Sequence, residues 1–136
     1  MVTIVTLHQA SKAQCDTEVL YTSNKQEFTN GKDEIQKTEE EKVTVDVSKT
    51  NLILTHNDDP NDVMQGTIKS VNCNWTEPYK TGKTTIEAEL TEGHNDVHQA
   101  VVTIEGKDGQ IVISIELADH PDMKIKAHVD KYEQKS

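Results

Sequence analysis

The second half of the chain alternates apolar and polar residues with a period of two. Four runs, TTIEAEL, HQAVVTIE, QIVISIEL and MKIKAHVDKY, are punctuated by TEGHND, GKDG and ADHPD. Alternation bounded by turn-forming residues predicts antiparallel strands with one buried and one wet face. Ile86, Ala88 and Leu90 share a face of the first run, and Ala100, Val102 and Ile104 a face of the second. Ile111, Ile113, Ile115 and Leu117 follow on the third, and Met123, Ile125, Ala127 and Val129 on the fourth. The opposite faces carry Thr, Glu, Ser and Lys, with Val101 and Val112 as exceptions. The middle hairpin closes through Asp108-Gly109 as a two-residue turn or through Gly106–Gly109 as a four-residue loop. Both registers pair apolar with apolar, because they differ by an even step.

The first half is less regular. Thr17–Phe28 reads as a strand carrying Val19 and Tyr21, and Asn30-Gly31 is a hairpin signal. Asp33–Val47 returns, weak through KTEEEK and clear at Val43, Val45 and Val47. Leu52–Leu54 follows, then the loop HNDDPND, then Val63–Trp75. In that last run the inward parity switches from Met64, Gly66 and Ile68 to Val71, Cys73 and Trp75, as a β-bulge would produce. No helix pattern is found. The expected fold is all-β: a single up-and-down antiparallel meander of about eight strands, forming a closed or partly closed barrel. A two-sheet β-sandwich is the alternative. In strand count and length the architecture resembles that of the lipocalin and fatty-acid-binding groups. Their Gly-x-Trp at the first strand and their helical lid are not present, so the resemblance implies a fold and no functional residue.

Composition narrows the setting. A chain of 136 residues is expected to form one domain, and its 33% hydrophobic content suits a sheet wet on one face. The net charge of −10 argues against nucleic acid and against anionic membrane surfaces as partners. No apolar run reaches the 18 or so residues of a membrane span. Residues 1–13 read as the tail of a signal peptide or a disordered N-terminus, ahead of a single all-β domain over 14–136. Ser11 and Ala13 supply small residues three and one positions before a cut at Gln14. An ordinary first strand, VTIVTL, is the competing reading. The protein is accordingly expected outside the cytoplasm, periplasmic or secreted. Cys15 and Cys73 are expected to form a disulfide, because a meander brings the start of its first strand and the end of its fourth to one rim.

Candidate chemistry is sparse. Trp75 and Tyr79, beside Pro78, either flank a ligand mouth or plug the end of the barrel. His94 and His98, with Asp96 between them, could ligate a metal but lack a defined fourth donor. Asp58, Asp59 and Asp62 offer oxygen ligands in a loop without the Gly and terminal Glu of an EF-hand, and turn formation accounts for them. Glu39–Glu41 reads as a solvated strand face or a bulge. There is no CxxC, no Cys–His arrangement and no Gly-x-Ser-x-Gly elbow. The inward strand positions carry no His, Asp or Glu, which a catalytic mouth would need. The function expected is therefore that of a non-catalytic exported binding protein, monomeric and without cofactor. It would hold a small apolar ligand in the barrel or a protein partner on its rim. A small hydrolase or isomerase with a site in the barrel mouth, and a structural envelope protein, are the alternatives. An interior above about 300 Å³ would favour the small ligand; a filled one moves the site to the surface.

Overall fold

A computed structural model describes residues 17–92 and 96–135 of the chain. Among the described residues, nine strands make one antiparallel sheet. They are β1 (Glu18–Thr29), β2 (Ile35–Glu39), β3 (Val43–Val47), β4 (Asn51–His56), β5 (Val63–Glu77), β6 (Thr81–Glu92), β7 (Asp96–Lys107), β8 (Gln110–Leu117) and β9 (Lys124–Lys135). Among the described residues there is no helix, and so none long and apolar enough to cross a membrane.

The last four strands follow the alternation. Ile86, Val102, Ile115 and Ile125 stand in successive cross-strand register, as do Thr84, Ile104, Ile113 and Ala127. The middle hairpin takes the two-residue form: Lys107 pairs with Gln110, and Asp108 and Gly109 both have positive φ. The parity switch in β5 is a register shift between Ile68 and Ser70. Before it Gly66 faces Leu90 so closely that a Cβ would lie 2.5 Å from Leu90 Cδ2.

β9 pairs with β1 from Glu18↔Lys135 to Thr29↔Lys124, which closes β1 and β3–β9 into an eight-stranded barrel. The ninth strand comes from Asp33–Val47, expected as one element and found as two. β3 pairs with Val19–Ser23 of β1, and β2 with Gln26–Thr29 of the same strand. Between them residues 40–42 leave the ladder. Gln26 explains the break. Its side chain is buried, and its Nε2 donates to the Glu41 carbonyl at 2.8 Å and to Ser23 Oγ at 3.2 Å. A buried amide needs such partners, and here it takes a backbone acceptor that a continuous strand would have spent on its neighbour. The Asn30-Gly31 hairpin is also longer than its dipeptide suggests. Asn30 Oδ1 accepts from the Lys32 and Glu34 amides, and Asp33, with φ 62°, makes the reversal.

The core runs through the barrel from Val19 and Tyr21 to Ala127, with Leu52, Ile86 and Val102 fully buried. Ile104 and Ile113 are buried as expected, but Ile125 is only partly so, and Met123 lies exposed in the turn before β9. Val71 is also exposed despite its inward parity. The expected cleavage site, the segment Val2–Leu7 and Cys15 lie outside the described residues.

Candidate functional site

Trp75 sits where two glycines face each other. Gly82 pairs with Gly106 across β6 and β7, and Trp75 pairs with Gly82. A Cβ on Gly106 would lie 2.6 Å from Trp75 Cζ3, so only glycine leaves room for the indole. The indole Nε1 donates to Thr84 Oγ1 at 2.6 Å, and that hydroxyl lies 3.8 Å from Cys73 Sγ. Tyr79 occupies the turn between β5 and β6 with φ 64°. Its ring stacks on Tyr132 of β9, with centroids 4.1 Å apart and planes 5° from parallel, and its hydroxyl accepts from Gln134 Nε2 at 2.8 Å. Burial pushes its phenol above the ordinary range. Both candidate ligand-binding aromatics are thus turned into the core, one as a plug over a glycine pair and one as a bridge to β9.

The metal candidates regroup. His94 lies outside the described residues. His98 meets Asp119 and His120 from the β8–β9 turn: His98 Nδ1 is 2.9 Å from Asp119 Oδ2, and His120 Nε2 is 3.9 Å from it. Asp96 stands 3.7 Å from His98 Nε2. The hydrogen bond from His98 holds the Asp119 carboxyl below its ordinary range. The acidic loop does not converge on one point. Asp58 pairs with Lys42 at 2.9 Å, Asp59 accepts the Asn61 amide at 2.9 Å, and Asp62 turns to His56. Loop geometry therefore absorbs Asp58 and Asp59.

A second cluster forms at the break between β2 and β3. One ligand atom each from Glu39, Glu41 and His56 lie within 4.8 Å of one another, and all three residues are half-buried. His56 ends β4, brought there by its register with Val43. Its Nδ1 is 2.8 Å from Asp62 Oδ2, and its Nε2 lies against Glu41 Oε2. Asp62 and Glu41 together raise the imidazole pKa above the ordinary value, against a smaller opposing effect of burial. In the sequence, Glu39–Glu41 reads as a solvated strand face or a bulge, and the cluster has little signal there. The break in alternation at KTEEEK was its one visible trace.

The interior is largely filled. Among the described residues, the cavity bounded by Val19, Tyr21, Ile86 and Ile104 holds about 20 Å³. The buried polar residues are Thr22, Ser23, Gln26, Thr29 and Thr84, none of which titrates in the ordinary range. On the outer face an open groove of about 370 Å³ runs across β6–β8, floored by Val101 and Leu117 and flanked by Lys69, Glu87 and Glu116. The class defined is a closed antiparallel β-barrel whose described core is packed with apolar and aromatic side chains. No family model, curated protein or solved structure matches the chain.

Proposed function

We propose that this protein is a non-catalytic, exported binding protein that engages a protein partner on its rim and outer surface. The packing of the interior carries this reading. A small apolar ligand in a barrel occupies some 300 Å³ or more, whereas the cavity lined by Val19, Tyr21, Ile86 and Ile104 holds about 20 Å³. Absence of inward-facing His, Asp or Glu among the buried residues speaks against a catalytic mouth. Trp75 and Tyr79, as core residues, stiffen the end of the barrel and shape the rim without themselves binding.

Titration with an apolar fluorophore and with a long-chain fatty acid distinguishes the two kinds of binding. Neither should bind saturably to the folded protein. One-to-one binding that the fatty acid displaces would place the ligand inside and overturn this reading.

A further inference from the structure

We propose that Glu39, Glu41 and His56 form a site for a divalent transition-metal ion, with Asp62 positioning the imidazole. The three ligating residues come from the end of β2, the break after it and the end of β4, and their donor atoms lie within 4.8 Å of one another. A shared cation is the simplest object that all three could hold.

Two further observations point to a ligand. Glu41 Oε2 is closed off from water and lies against His56 Nε2. A cation placed between that oxygen and Nε2 would be held by both atoms. Asp62 Oδ2 sits 2.8 Å from His56 Nδ1. A proton on Nδ1 directed at that carboxylate leaves the Nε2 lone pair facing Glu41. Metal-bound histidines are oriented by this same carboxylate contact on the far nitrogen.

The local charge balance agrees. Glu39, Glu41 and Asp62 face one lysine, Lys37, which is 2.9 Å from Glu39. The next lysine in the chain, Lys42, is drawn away to Asp58. Two carboxylates and one imidazole suit Zn²⁺ or Mn²⁺, with water in the remaining positions. Calcium needs six to eight oxygen ligands and is not matched by this set. The His98 group has two imidazoles, but Asp119 and His120 have side chains 55% and 53% exposed, and it lacks a shut-off acceptor among the described residues. Bound at Glu39, Glu41 and His56, the ion would tie the break in the returning strand to the end of β4.

The test is calorimetric titration of the intact protein with ZnCl₂ and MnCl₂. It is run on the double variant H98A/H120A, which removes competing imidazoles. One ion per chain should bind. Adding E41Q or H56N should abolish that binding, and adding D62N should weaken it by about 10–100-fold, as loss of an orienting partner does. Mn²⁺ should broaden the amide signals of Glu39, Glu41 and His56 before any others, a readout that holds even if one variant folds poorly. No saturable binding to H98A/H120A would overturn the proposal. So would unchanged affinity in both E41Q and H56N, broadening centred elsewhere, or tighter binding of Ca²⁺ than of either ion.

Discussion

At the scale of single residues, the barrel is held by a few polar contacts set against its apolar core. Glu27 is the most instructive. Its Oε1 lies 2.6 Å from His128 Nε2 on β9, and its side chain is only 17% exposed. That hydrogen bond chiefly, with the charges of His128, Lys25 and Lys126, holds the carboxyl below its ordinary value of 4.5. A carboxyl whose pKa is lowered in the folded state contributes stability that is complete above the unfolded value. The contribution disappears as pH falls through the lowered one. Urea midpoints of wild type and E27Q should therefore differ at pH 6 and converge as pH falls below 4.5. A difference that stays constant over that range would mean that Glu27 stabilises by packing alone. Trp75 shows how much of the residue scale was hidden. Gly82 and Gly106 are visible as glycines inside strand patterns. That they face each other under one indole depends on the β6–β7 register, which no single position reports.

At the scale of elements, face assignment is the claim most open to test. On β8, Ile113 is 1% exposed and its neighbour Ser114 points to the other face of the sheet. Replacing Ile113 by Ala should cost about 2–5 kcal/mol in urea unfolding, the range for a large aliphatic lost from a packed core. Ser114→Ala should change stability by no more than about 0.5 kcal/mol. Equal effects would mean the faces are wrongly assigned.

The strands β6–β9 were legible because each pairs with its neighbour in sequence, so local alternation carried the information. The bulge in β5 was legible for the same reason: it shows as a switch of parity. The break between β2 and β3 was not. It is made by a buried glutamine that reaches the Glu41 carbonyl from fifteen residues away. The Glu39, Glu41 and His56 cluster was invisible for a related reason. It needs the β3–β4 register to bring residue 56 beside the break, and sequence spacing showed only an acidic run and a distant histidine. His98 stands out in the sequence, but its partners Asp119 and His120 belong to the β8–β9 turn, one strand further on. The cause throughout is tertiary pairing between segments that carry no shared local signal.

At the scale of the whole molecule, the compartment is the property the fold does not decide. A bond between Cys15 and Cys73 would tie the segment before β1 to β5 and mark an oxidising environment. Cys73 is half-buried beside Thr84, and Cys15 lies outside the described residues. Protein prepared under oxidising conditions and alkylated without reductant should gain no alkyl group by mass. Addition of two would remove the bond and most of the case for export. The net charge of −10 repels anionic surfaces and keeps copies of the molecule apart from one another.

The seam between β1 and β9 has a consequence for how the protein is made. The Asn24 amide donates to Asp130 Oδ2 at 2.7 Å, a contact between residues 106 apart in the chain, and the whole β1–β9 ladder is of this kind. At about 5–20 residues per second of synthesis, β1 waits roughly 5–20 s for the strand that will cover its edge. During that wait its ladder groups are open to any other chain nearby. The molecule is at its most adhesive just before it is complete. That exposure ends only when β9 docks, so the last strand made is also the one that shuts the edge.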